Sequence, residues 1–360
     1  MLPRRALLAL LLAARAGAVR AADAPATDVA PLRFPADFGA HGETRTEWWY
    51  LTGALDTGER TWGFQVTFFR VATALHGAES SRFAARQVLF AHAAVSDLAQ
   101  ARLRHDQRIA RAGFGIAEAS VGDTAIVLGD WRLTRSDAEG ASRYLARATS
   151  ESGGFVLDLA LAATQPVLLQ GEGGFSRKGP RREQFSRYYS EPQLAARGTL
   201  AIEGHSFAVE GRAWLDHEWS DAYLDPGAVG WDWIGINLDD GAALTAFRIR
   251  RPDGSALWSG GSHRPRGGVV RDFAAGEVVF TPGRTWTSAA TGTRYPVEWR
   301  VATPVGTFTV RALQDDQELD SRASTGTIYW EGLSLLLDAE GRRVGRGYLE
   351  MTGYAARLVL

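Results

Sequence analysis

The feature that most constrains this chain is an internal repeat. GRAWLDH (residues 211–217) aligns with GRGYLEM (345–351), so that Trp214 falls on Tyr348 and Asp216 on Glu350. Earlier in each half, WWYLTGALD (48–56) aligns with WDWIGINLD (231–239). There Trp48 matches Trp231, Tyr50 matches Trp233, and Leu55-Asp56 matches Leu238-Asp239. Each half thus opens on an aromatic-rich segment and closes on Gly-Arg-x-aromatic-Leu-acid. Two matches in the same order predict two related units; chance likeness between short β-segments is the alternative. Placing the boundary near Trp219 gives an N-terminal domain over 25–219, carrying an insertion, and a C-terminal domain over 220–360.

The segments between these landmarks alternate apolar and polar residues with period two, as in TWGFQVTFF, GGFVLDLAL, ALTAFRIR and GTFTVRAL. Gly, Pro and Asp-Gly pairs punctuate them, and few windows sustain a helical period. Forty glycines and twelve tryptophans fit β-structure with many turns. An all-β unit of this size must dispose of its strand edges, and closing into a barrel or pairing sheets in a sandwich does so. A small barrel can hold an apolar ligand in its mouth.

The N-terminus has the three parts of an export signal. Arg4 and Arg5 precede the apolar run Ala6 to Ala14, and small residues follow at Ala21 to Ala24. The run is shorter than the ~20 residues that span a bilayer. The expectation is a signal peptide over 1–24 and a periplasmic or secreted product. The chain has no cysteine, which excludes disulfides, thiolate metal sites and a cysteine nucleophile. A net charge of -1 argues against nucleic acid as a partner. The basic run Arg177, Lys178, Arg181 and Arg182 reads as a solvated turn.

The chemistry concentrates in RAWLDHEWSD, residues 212–221. On a strand, Trp214, Asp216 and Glu218 share one face, and Leu215, His217 and Trp219 share the other. Two carboxyls held close are a general acid and base pair, since each raises the other's pKa. That face could line a barrel interior or meet solvent; Trp214 beside the acids favours the interior. His217 is either a further base or a histidine satisfied by a loop. His92 sits in an apolar strand, where packing with one hydrogen bond competes with a ligand-facing role. Tyr188, Tyr329 and Glu331 stand near strand ends. No metal site is expected, because adjacent strand residues diverge and no second histidine is close in sequence to His217. GGFSRKG around Ser176 lacks the second glycine of a nucleophile elbow, and no Walker loop, dinucleotide fingerprint or HExxH motif occurs.

EWWYLTG, GFSRKGP, RYYSEPQL, WLDHEW, GWDWIGINLDDG, YWEG and GRGYLEMTGY together resemble one family over Phe34 to Tyr354. It is the lipocalin-like group that includes bacterial carotenoid 1,2-hydratases, kievitone hydratase and many bacterial predicted secreted hydrolases. The resemblance implies two tandem lipocalin-like antiparallel β-barrels. It also implies a proton donor at Asp216, with Glu218 or His217 receiving the proton of the attacking water. The alkene's cation would lie against aromatic faces, for which Trp214, Trp219, Trp231, Trp233, Trp48, Tyr50, His92 and Tyr188 are the expected lining. No cofactor is expected, and the partner is a small apolar ligand. The rival reading is a non-catalytic periplasmic carrier that contacts a membrane transport system, with the acids as architecture.

Overall fold

The computed structural model describes residues 30–73, 81 and 83–358. The expected signal peptide lies outside the described residues. The chain is all-β. Apart from a 3-10 turn at Ala36–Phe38, every helix or strand element among the described residues is a strand. The ten strands that build the site are, in chain order, β1 (Thr46–Asp56), β2 (Thr61–Ala72), β3 (Gln87–Asp97), β4 (Arg102–Arg111), β5 (Phe185–Ile202), β6 (His205–Ser220), β7 (Gly230–Leu238), β8 (Ala243–Arg250), β9 (Thr327–Leu337) and β10 (Arg343–Met351).

The first sheet has thirteen antiparallel strands and contains the run β4-β3-β2-β1-β6-β5, continued by Phe155–Ala162, Ala141–Ser150, Trp131–Ala138, Ala125–Leu128 and Ala117–Ala119. It curls until β4 meets Ala125–Leu128, making a nearly closed, lipocalin-like barrel. The second sheet has ten strands, and its centre runs β8-β7-β10-β9. The chain passes from the first sheet to the second between Ser220 and Gly230.

Alternation sorts the side chains. On β1 the odd positions Trp49, Leu51 and Leu55 join Phe64, Val66 and Leu157 in a dense core inside the first barrel. On β7 the even positions Ile234, Ile236 and Leu238 join Trp299, Trp330 and Leu349 in the core of the second sheet. The remaining face of each central strand is also apolar. Tyr50, Ala54, Trp214, Trp233, Leu333 and Tyr348 form a third buried cluster where the two sheets lie back to back. The interior of the first barrel and that of the second sheet are each filled by their own core, and the aromatic repeat segments meet in the seam between them.

Two glycines let the sheets approach. A Cβ on Gly63 of β2 would stand 2.7 Å from the Tyr348 hydroxyl and 3.0 Å from Leu333. One on Gly235 of β7 would strike the Trp233 ring and come within 3.1 Å of Trp214. Polar bonds then lock the seam. Ser96 donates to Gln317 at 2.8 Å, Asn237 donates to the Ala213 carbonyl at 3.1 Å, and Arg346 pairs with Asp56 at 2.7 Å. These are buried or half-buried partners, so their satisfaction offsets the cost of desolvating them.

Candidate functional site

A cavity of about 350 Å³ opens in the seam. The outward faces of β1, β2, β3 and β6 supply one wall, and β7, β9 and β10 supply the other. Phe69, Phe90, Trp48, Tyr223, Trp231 and Trp233 give it an aromatic lining. Five acidic residues border it; Glu47 turns its carboxylate to Arg70 and His217, and four carboxyls are left to the cavity: Asp216 and Glu218 from β6, Glu331 from β9 and Glu350 from β10.

Asp216 and Glu218 share a face, as their spacing on the strand predicts. That face does not point into a barrel. It points outward from the first barrel and is covered by the second sheet. The sequence offered barrel interior or solvent, and a sheet packed on the barrel's outside is a third environment that one strand's pattern does not reveal.

Asp216 is 4% exposed. Its Oδ1 accepts hydrogen bonds from Ser190 Oγ at 2.6 Å and from Trp214 Nε1 at 2.7 Å, and its Oδ2 accepts one from the Tyr188 hydroxyl at 2.7 Å. Burial nevertheless pushes its pKa up to about 7, against the pull of those three donors and with help from the charge of Glu218. Tyr188 in turn takes a hydrogen bond from Trp233 Nε1 at 3.3 Å, so the acid is tied to the facing sheet. Trp214 does not line the cavity; it packs edge-on against Trp233, with ring centroids 6.4 Å apart, and orients Asp216.

Glu218 is also buried, which raises its pKa, while Lys178 at 2.8 Å and the Ser186 hydroxyl oppose that rise. Lys178 is thus not part of a solvated turn. Its ammonium is buried and sits 4.5 Å from the Phe247 ring centre and 4.7 Å from that of Tyr188. Its neighbours in sequence gave no sign of this, because the partner carboxyl lies forty positions away.

Trp48, Tyr50, Tyr188, Trp231, Trp233 and His92 all line the cavity. His92 is neutral, burial lowering its pKa to about 3, and its ring nitrogens pair with the Tyr329 hydroxyl at 2.8 Å and Ser324 Oγ at 2.9 Å. His217 and Trp219 do not join this group. They point into the first barrel. His217 Nε2 bonds Glu47 at 2.9 Å, its Nδ1 lies 3.1 Å from the Tyr189 hydroxyl, and its ring stacks on Trp49. Burial would raise the pKa of Glu47, but hydrogen bonds from His217 and His41 and the charge of Arg70 hold it far below the carboxylate range. His41, Glu47 and His217 bring three ligating atoms within 4.8 Å of one another. Their lone pairs and protons are already spent on each other and on Arg70, whose Nε donates to Glu47 at 2.7 Å.

Two acids of the site were not singled out from sequence as functional. Glu350 is the repeat partner of Asp216, and that alignment was the signal for it. Glu331, noted from sequence only as standing near a strand end, follows Tyr329 and Trp330 in the YWEG segment.

The model of the AttH-like family matches residues 25–354, so the chain belongs to that family. A putative AttH from Nitrosomonas europaea is 48% identical, with a TM-score of 0.84 over 92% of this chain and 99% of that one. Kievitone hydratase from Nectria haematococca superposes with a TM-score of 0.68 at 14% identity, covering 92% of this chain and 95% of its own. CghA, in a structure with Sch210972, gives 0.54 at 14% identity over 87% and 90% of the two chains. The last two share the fold of this chain. No curated protein matches the chain.

Proposed function

From membership of the AttH-like family and from the four-carboxyl seam cavity, we propose that the protein binds an apolar, isoprenoid-like molecule and adds water to it by acid catalysis. The observation that carries this reading is Asp216: a carboxyl on the wall of an aromatic cavity, tuned by burial to about 7, and so present as the neutral acid near neutrality. Protonating an unactivated alkene requires such an acid. A volume of about 350 Å³ is at the small end for ligand pockets and takes a small molecule or the end of a longer chain.

In this mechanism Asp216 gives its proton to the less substituted alkene carbon. A C–H bond forms from the π electrons, and the other carbon becomes a tertiary cation. Trp48, Trp231 and Trp233 stabilise it, a cation over a desolvated ring being favoured by ~2 kcal/mol. Water then forms the C–O bond and loses a proton to a carboxylate. Glu218, whose charged form is favoured by Lys178, is the assigned acceptor. Proton exchange with solvent restores Asp216. His217 has no part in this, since β6 itself stands between it and the cavity. Being exported to the periplasm or beyond, the protein would act on a ligand that reaches it outside the cytoplasm.

The test compares wild type, a deletion and Asp216→Asn in the native host grown in heavy-oxygen water, with apolar extracts read by mass spectrometry. A labelled alcohol that appears only with wild type supports hydration. Full labelling with Asp216→Asn removes Asp216 from the mechanism. A second reading, a carrier that hands its ligand to a membrane transport system, is favoured by one observation. Both oxygens of Asp216 are occupied by protein donors, as in an architectural network. An apolar compound mislocalised in the deletion and restored by Asp216→Asn, with no labelling in any strain, supports that reading instead.

A further inference from the structure

The cavity carries more negative groups than hydration by Asp216 and Glu218 uses. Glu331 and Glu350 are direct cross-strand partners on β9 and β10. Like charges in that position repel, and burial deepens the penalty. Glu331 is 2% exposed, and its Oε2 has no hydrogen-bond partner. Its Oε1 lies a long 3.4 Å from the Tyr329 hydroxyl. That hydroxyl has one proton and a closer acceptor. Ser324 Oγ donates to Gln107 at 2.6 Å, so His92 Nε2 donates to Ser324 and His92 Nδ1, at 2.8 Å, takes the Tyr329 proton. The Tyr50 hydroxyl also stands beside Glu331 and interacts with it, but outside the geometry of a full hydrogen bond, and it has no other partner. A buried carboxyl left this bare is costly unless something else satisfies it.

No protein cation does so. Among the described residues, Lys178 is the cavity's nearest ammonium, and it is engaged by Glu218 at 2.8 Å. The groups facing the pair are Tyr50 from β1, His92 from β3, Tyr188 from β5, Asp216 and Glu218 from β6, Tyr329 on β9, Tyr348 on β10, and Tyr223. Four carboxyls therefore share one ammonium. The aromatic rings around them are the surroundings that organic cations select.

We propose that Glu331 and Glu350 form a receptor for positive charge, so that the seam cavity takes an apolar molecule with a cationic head such as a tertiary ammonium. The proposal rests on the reading that the seam cavity is the ligand site. In the empty protein burial raises both acids, Glu331 well above its ordinary value and Glu350 to about 7, so the pair is held protonated at about pH 6, and a bound cation makes room for itself by expelling a proton from it. The same charge would stabilise the tertiary carbocation of hydration, which links the pair to the chemistry without making either acid the donor.

The probe is the N,N-dimethylamine of a ten-carbon isoprenoid, compared with its carbon isostere in which CH replaces NH⁺. Binding to the purified protein is measured by calorimetry at about pH 6, in two buffers of different ionisation enthalpy. The amine should bind at least about tenfold more tightly than the isostere and release close to one proton. Glu331→Gln, and separately Glu350→Gln, should bring the two affinities together, abolish the proton release and leave the isostere's affinity in place. Two variants guard against one failing to fold, which circular dichroism checks. Equal binding of amine and isostere by wild type, or amine binding without proton release, overturns the charge receptor while leaving the apolar site standing. Binding of neither probe overturns both.

Discussion

The two halves place a carboxyl at the same position and treat it in opposite ways. On β6, Asp216 faces Tyr50 of β1 across the strand pair; on β10, Glu350 faces Trp233 of β7. Tyr50 and Trp233 then meet edge-on, 5.4 Å between centroids, so the two repeats touch at their equivalent residues. Asp216 is surrounded by donors from Ser190, Trp214 and Tyr188. Glu350 has one tryptophan donor, Trp231, and a second glutamate as its cross-strand neighbour. Both settle at about 7, but for different reasons. Burial and a fixed donor set hold Asp216 in one orientation. Burial and the charges of Asp216 and Glu218 raise Glu350. An oriented acid suits proton transfer to one carbon, and a carboxyl pair short of hydrogen-bond donors suits a cation.

The strongest way to break this comparison is Asp216→Asn. A positioned general acid contributes about 10²–10⁴-fold in rate, and turnover should fall by that much with circular dichroism unchanged. Glu350→Gln keeps the proton donor and loses only charge beside the cation, so it should slow protonation far less, read as deuterium entering recovered alkene in heavy water. If the two variants fail identically in that exchange, the halves are not specialised as argued.

Next in size is Lys178→Met. Removing one partner of a buried ion pair costs ~3–5 kcal/mol because a charge is left uncompensated. The loss should appear in urea unfolding above neutrality and shrink as acid protonates Glu218, whose pKa burial has already raised.

Glu350→Gln sharpens the comparison through pH. The folded value of about 7 is above the ordinary 4.5, so the native state holds a proton that the unfolded chain releases. That costs nothing below about pH 4, grows as pH rises through the window between the two values, and is complete above about 7. The shift corresponds to on the order of 3 kcal/mol. Glu350→Gln should therefore be more stable than wild type at about pH 8 and equal to it at about pH 4, by chemical denaturation at both. A constant difference across pH would show that Glu350 is not strained.

Much of this was written in the chain. Alternation and glycine-punctuated segments gave an all-β fold, and the DHE spacing put Asp216 and Glu218 on one face. The repeat predicted that Glu350 would mirror Asp216. The environment of that face was not legible. Period two distinguishes one side of a strand from the other, but it does not say what covers each side. Half of the covering wall, β9 and β10, comes from residues more than a hundred positions later, and Lys178, Glu331 and the closing glycines Gly63 and Gly235 become meaningful only once it is in place.

The smallest effect on turnover is expected on the other face of β6. His217 is one residue from both acids, and from sequence it was a candidate base. Its side chain lies on the barrel side, with Glu47, Tyr189 and Trp49 around it, and none of the cavity acids within its network. Burial lowers its pKa, against the hydrogen bond and charge of Glu47, so it works as a neutral link. His217→Gln leaves Glu47 short of a donor, which costs ~1–3 kcal/mol of stability, the usual penalty for a buried group deprived of its partner. Turnover measured well below the melting temperature should stay at the wild-type level. A pH–rate profile is the sharper measurement. If Asp216 is the acid, the profile keeps its limb near 7 in His217→Gln, whereas loss of that limb would make His217 the titrating group and place the chemistry on the barrel side of the strand.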